Sequence, residues 1–252
     1  MPDDILKHFA SAAATYDDHA KIQHTVAADL LRRCPASARR ILDSGCGTGV
    51  FTQMLASTYP DAQITAVDFS DAMLGVAATR QAPNVRFVLA DIRDIVDTGF
   101  DLIASNAALQ WLPDIDETIE SLHSRLAAGG ILALSYFGPE TYRELRSALI
   151  AALGLPVTLP SDSFASTSEL SSICQRHFHA VSFDTVEYTE TFPTLRALLA
   201  NIKATGTRGP GASPNVTWTP GLLRRVEAEY RAVTGGEIVV TYQVSFCVGR
   251  AI

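Results

Sequence analysis

The 252-residue sequence has no run of lysine or arginine, and its 20 basic residues are outnumbered by 27 acidic ones, a formal charge of −7. A surface that tracks a phosphate backbone needs clustered positive charge, so we expect no nucleic-acid partner. No stretch approaches the ~18 consecutive apolar residues needed to span a bilayer. The opening Met-Pro-Asp-Asp, soon followed by Lys7 and His8, lacks the charged start and apolar run of a secretory signal. A soluble, cytoplasmic protein without a membrane partner is the expectation. Cysteine is scarce: Cys34, Cys46, Cys174 and Cys247 lie far apart, with no Cys-x-x-Cys or Cys/His ligand spacing. Neither a disulfide nor a metal site is expected.

What is present is alternation. Between Arg40 and Phe137, β-type runs at Arg40 to Asp43, Ile64 to Asp68, Val85 to Ala90, Phe100 to Ser105 and Ile131 to Phe137 are separated by helical patterns. Such alternation predicts parallel strands with helices packed across them. Ile115, Ile119, Leu122 and Leu126 recur at steps of four, three and four, which predicts one helix face, ended by Gly129-Gly130. Before the first strand, Tyr16 to Arg33 reads as one amphipathic helix closed by Pro35. Two late β-type runs, about Ala180 to Phe192 and Glu237 to Val248, predict an antiparallel end to the sheet. The expected fold is therefore α/β, a Rossmann-like, doubly wound, mostly parallel seven-stranded sheet whose last strand is antiparallel. One domain is expected: an N-terminal helical arm or lid over 1–36, a core over 37–193 and 237–252, and a helical cap inserted at 194–236. The cap contains a Gly/Pro-rich stretch, Gly206 to Pro214. It is locally basic, with Arg196, Lys203, Arg208, Arg224, Arg225 and Arg231 against Glu227 and Glu229.

The chemistry is written in Asp43-Ser44-Gly45-Cys46-Gly47-Thr48-Gly49, at the end of the first strand and the start of a helix. Glycines there let the backbone turn sharply and approach a ligand. A dinucleotide fingerprint starting at Gly45 needs its third glycine at position 50, which is Val50. Asp43 would repel a phosphate but accept hydrogen bonds from a cofactor carrying an ammonium group, a description that fits S-adenosylmethionine. Asp68, at the end of the second strand, is placed to accept from both hydroxyls of a ribose, and Asp91-Ile92 ends the third. Each signal has a plainer reading: Asp68 as a helix cap, Met73 as core, and a lone Gly-x-Gly-x-Gly as a turn. Together and in this order, Ile41 to Gly49, Asp68 with Ser70 and Met73, and Asp91-Ile92 resemble the Rossmann-like S-adenosylmethionine-dependent methyltransferases.

A narrower resemblance, to the malonyl-[acyl-carrier protein] O-methyltransferases of biotin synthesis, extends over nearly the whole chain. It is carried by Phe9 with Ala12 to Ala20, by Ser105 to Trp111, by Phe137 to Arg146, by Ile202 to Thr207 and by Thr241-Tyr242. The Ser105 to Trp111 stretch is shared with related carboxylate methyltransferases such as trans-aconitate methyltransferase. The resemblance implies a cofactor site of Tyr16, Asp43, Gly45, Gly47, Gly49, Asp68, Phe69, Met73, Asp91, Ile92 and Asn106, with Met73 against the adenine and Asp91 at its amino group. It implies catalytic roles for Tyr16 and Trp111, and Arg143, Arg146 and Lys203 as candidates to bind the acceptor. Its implied partner is malonyl-acyl-carrier protein, with malonyl-coenzyme A as a further acceptor.

A carboxylate acceptor is already ionised at neutral pH and needs no general base. The sequence accordingly offers no Ser/His/Asp constellation, and its six histidines show no ligand spacing. Two other readings stay open: a methyltransferase for a free polycarboxylate of the trans-aconitate type, and a regulator that binds the cofactor without catalysis.

Overall fold

The computed structural model describes residues 3–80, 82–208 and 217–251. Seven strands form one sheet among these residues: β1 (Arg40–Ser44), β2 (Gln63–Asp68), β3 (Val85–Leu89), β4 (Phe100–Asn106), β5 (Leu126–Phe137), β6 (His179–Phe192) and β7 (Ile238–Arg250). Their order is β3-β2-β1-β4-β5-β7-β6. β1 to β5 pair in parallel, whereas β7 runs antiparallel to both of its neighbours, β5 and β6. The expected mostly parallel sheet with an antiparallel last strand is thus present. Its final strand lies inside the sheet, not at its edge.

The helices are α1 (Asp3–Ala12), α2 (Tyr16–His19), α3 (Lys21–Leu31), α4 (Val50–Thr58), α5 (Asp71–Ala77), α6 (Ile115–His123), α7 (Arg143–Leu153), α8 (Thr167–His177), α9 (Leu195–Ala204) and α10 (Pro220–Thr234). Apolar side chains of α3, α4, α7, α9 and α10 fill one face of the sheet, with Leu30, Leu55, Leu149, Leu198 and Tyr230 all buried there. Helices α6 and α8 cover the other face through Ile119, Leu122, Leu170 and Ile173. Burial on both faces explains why the central strands read as continuous apolar runs.

Two sequence expectations need correction. The helix expected from Tyr16 to Arg33 is two helices, because Ala20 leaves helical geometry (φ −87°, ψ 36°) between α2 and α3. The periodic Leu126 is not on a helix: α6 ends at His123, and Leu126 pairs with Phe100 at the start of β5. Gly129-Gly130 lies within that strand, where the register with β4 shifts, and does not stop a helix. A Cβ on Gly130 would come within 2.8 Å of the Phe100 carbonyl oxygen, so close strand packing is what the glycine serves. Most of the Gly206 to Pro214 stretch lies outside the described residues. Among the described residues, no helix is long and apolar enough to cross a membrane.

Candidate active site

The strand order reverses between β1 and β4, and ligands in open α/β sheets bind at the carboxyl ends of the strands flanking such a point. There the loop after β1 turns through three left-handed glycines, Gly45, Gly47 and Gly49, before α4 begins. Gly45 packs so tightly that a Cβ would meet that of Ala108 at 2.4 Å. Gly47 differs, because a Cβ there would have no protein atom within 4 Å. It lines a cavity that opens to solvent.

That cavity brings together Tyr16, Gly45, Gly47, Asp68, Phe69, Met73, Asn106 and Trp111 from the arm, the loop and the ends of β2 and β4. Asp68 accepts hydrogen bonds from the Gly47 and Ser70 amides, both at 2.8 Å, and so fixes the loop from below. Ser70 caps α5 by accepting from the Met73 amide, so Asp68 is not the helix cap. Burial raises the Asp68 carboxyl, and the backbone amides it accepts from pull it back down. Asn106 is wired on both sides: its amide donates to the Gln23 carbonyl and its carbonyl accepts from Ser135.

Four expected cofactor residues lie off this wall. Asp43 is buried under the loop, where its Oδ2 accepts from the Thr52 hydroxyl at 2.6 Å and its Oδ1 has no partner. Burial pushes its carboxyl up to about 7 against the lowering effect of Thr52. Gly49 starts α4, with its Cα side against Ala77. Asp91 is turned to Arg93, whose Nε and terminal nitrogen donate to it at 2.9 and 2.7 Å and hold its carboxyl below the usual range. Ile92 enters the core.

A second cavity shares Phe9, Tyr16, Gln23, Ala107 and Trp111 with the first. Its far side comes from Thr141 and Tyr142, ahead of α7, and from Phe164, Thr207 and Tyr242. The candidate acceptor-binding cations are not among its lining residues. Arg143 pairs with Glu187 at 2.5 Å and with Glu144, while Arg146 pairs with Asp162 and Glu140. Both side chains leave α7 on flanks where acids neutralise them, and Lys203 is exposed near the end of α9. The residues that do line this cavity, Tyr142 and Tyr242 above all, were missed as site residues. A tyrosine beside an arginine gives no periodic signal, and only the reversed backbone at Tyr142 (φ 65°) turns it inward ahead of α7. Arg80 was missed as well: it donates to the Thr48 carbonyl and pairs with Asp17 of the arm.

Residues 35–189 match the family model described as "Methyltransferase domain". The malonyl-[acyl-carrier protein] O-methyltransferase of Bacillus anthracis is 36% identical over 96% of this chain and 94% of its own length. That of Acetivibrio thermocellus is 33% identical over 96% and 92%. Among solved structures, the YcgJ protein of Bacillus subtilis superposes with a TM-score of 0.63 at 17% identity, over 90% of this chain and 98% of that one. A Haemonchus contortus phosphoethanolamine N-methyltransferase in complex with S-adenosyl-L-methionine gives 0.54 at 16% identity, over 90% and 52%. These two likenesses establish the fold, and the sequence relatives establish more: with its methyltransferase domain, this chain belongs to the malonyl-[acyl-carrier protein] O-methyltransferase family.

Proposed function

We propose that this chain transfers the methyl group of S-adenosylmethionine to the free carboxylate of malonyl-acyl-carrier protein, giving the methyl ester that opens pimeloyl and biotin synthesis. The observation that carries the reading is the pair of cavities at the ends of β1 and β4, which share Tyr16, Ala107 and Trp111. A methyl donor in one and an acceptor in the other meet at those residues. The names of the relatives supply the acceptor.

The first cavity suits the cofactor. Asp43 keeps an unpartnered buried oxygen under the loop, the side chain missing at Gly47 leaves room for a ligand, and Asp68 presents a carboxylate to ribose hydroxyls. Phe69 and Met73 offer apolar surface to an adenine. Asp91 ends the neighbouring strand, and contact with the adenine amino group requires it to release Arg93. When bound, the cofactor supplies an electrophilic methyl on a sulfonium. The chain's part is to align the acceptor, exclude water and avoid over-stabilising the acceptor carboxylate. Tyr16, on the arm over 1–36, closes the site as a lid, and Trp111 screens the reacting atoms. The locally basic segment 194–236 receives the carrier protein, and its Arg196, Lys203, Arg208, Arg224 and Arg225 are exposed.

Purified protein with labelled cofactor, offered malonyl-carrier protein, malonyl-coenzyme A and trans-aconitate in parallel, tests the reading. Malonyl-carrier protein is the expected acceptor. Preference for trans-aconitate would establish the free-acid alternative, and transfer to none of the three would favour a cofactor-binding regulator.

A further inference from the structure

The second cavity poses a problem that the methyl-transfer reading leaves open: it must receive a carboxylate, yet among the described residues no lysine, arginine or histidine lines it. The inference that follows rests on that reading for the identity of the ligand. The lining is nonetheless partly polar. Gln23 and Gln110 line the cavity, each is 7% exposed, and the Oε1 atom of each is buried without a partner.

The hydroxyls around the cavity are not equivalent. Ser161 donates to the Thr141 carbonyl at 2.8 Å, and Thr141 exchanges hydrogen bonds with the backbone of Gln243. Tyr242 lies close to both the Glu190 carboxyl and the Tyr142 ring. The Tyr142 hydroxyl makes a long 3.4 Å contact with Thr207 Oγ1. Thr207 Oγ1 is also 3.0 Å from Thr205 Oγ1 and 3.5 Å from the Ile202 carbonyl oxygen, and it is the Tyr142 and Thr207 hydroxyls that lie side by side at the cavity wall.

The backbone holds this pair in place. Tyr142 has φ 65° and ψ 24°, a left-handed conformation that a bulky residue keeps only where its surroundings enforce it. The enforcement is visible: its amide donates to the Thr241 carbonyl at 2.9 Å, and its ring meets Tyr242 edge-on at 5.4 Å. Burial raises the Tyr142 phenol, so it stays protonated and able to donate.

We propose that the acceptor's carboxylate is received by the hydroxyls of Tyr142 and Thr207, with no cation in contact, and that this neutral clamp selects a carboxylate over an uncharged acyl end. The choice of donor has a chemical logic. A guanidinium would hold the reactant carboxylate so firmly that attack on the methyl became harder, whereas neutral hydroxyls orient the oxygen and leave it nucleophilic. In the transfer, a carboxylate oxygen forms a bond to the methyl carbon as the carbon–sulfur bond breaks and its electron pair stays on sulfur. No proton moves. The ester has lost its negative charge, so its bonds to the clamp weaken and the product leaves.

Tyr142→Phe and Thr207→Val test the clamp, each against wild type. Binding of malonyl-pantetheine to protein loaded with S-adenosylhomocysteine is measured by calorimetry, and KM and kcat with malonyl-carrier protein are measured separately. Loss of a hydrogen bond to a charged ligand should weaken binding and raise KM by roughly ten- to a hundredfold in Tyr142→Phe, with affinity for S-adenosylhomocysteine within about twofold. Thr207→Val should fall in the same direction, which guards against a folding defect in either variant. Wild-type binding and KM in both variants would overturn the clamp. So would a loss in Arg143→Gln, Arg146→Gln or Lys203→Gln with Tyr142→Phe unaffected, or a wild-type protein that does not bind malonyl-pantetheine. Binding that depends on Tyr142 without any methyl transfer would instead sink the methyl-transfer reading and leave the clamp standing.

Discussion

Thr48 of the glycine loop donates its hydroxyl to Asp17 of the N-terminal arm at 2.6 Å. Arg80, which also donates to the Thr48 carbonyl at 2.7 Å, pairs with the same carboxylate. One acid therefore ties the arm to the loop that must cradle the cofactor. Asp17→Asn should weaken cofactor binding by about 1 kcal/mol, roughly fivefold, since the pair is partly solvated. Dissociation should speed up while the melting temperature hardly moves. Stopped-flow release of S-adenosylhomocysteine checks this, and an unchanged off-rate would show that the latch is decorative.

Asp43 supplies a pH dependence. Its carboxyl is raised by burial from 3.8 to about 7 in the protein without ligand. Between those values the folded state binds a proton that the unfolded chain does not, so this group's contribution to stability falls as pH rises from about 4 to 7. Asp43→Asn removes that loss: at pH 8 the variant should melt no lower than wild type, yet bind S-adenosylmethionine at least tenfold more weakly. Thermal melts and calorimetry across pH 5 to 8 measure both. A variant that melts lower at pH 8 and binds normally would refute the role.

Gly47 has a positive φ and open space where a side chain would go, in contrast to the tightly packed Gly45. Gly47→Leu should therefore fold, at a cost of about 1–3 kcal/mol for the left-handed backbone, and fail to bind the cofactor. Circular dichroism with calorimetry separates the two effects. Unchanged affinity would move the cofactor away from this loop.

Arg224 and Arg225 are exposed on α10, with no ion pair among the described residues. Their reversal to glutamate should raise KM for malonyl-carrier protein several-fold more than for malonyl-coenzyme A, and added salt should shrink the difference. Equal effects on both acceptors would show that this face does not read the protein.

The central strands were legible because they are buried on both faces, and the loop because its turns fall on glycines with positive φ. Asp68 was legible by its place at a strand end, Met73 and Asn106 through the family resemblance, and the three line one cavity. What the sequence concealed were partners. Nothing local shows that Arg143 faces Glu187, 44 residues away, or that Asp91 is closed by Arg93. Leu126 misled for a different reason. A bulged strand that follows a helix closely continues the apolar spacing of that helix by chance, and periodicity alone cannot find the junction.

The position of β7 has a consequence for how the protein is made. Since β7 pairs with β5 on one side and β6 on the other, the last-made of the seven described strands is the one that joins β6 to the rest of the sheet. Until it arrives, β5 presents a bare hydrogen-bonding edge and β6 has no strand to align with. The nascent chain thus carries an adhesive rim from the completion of β5 until β7 is made, the kind of surface that chaperones shield and that a product truncated before β7 leaves permanently exposed.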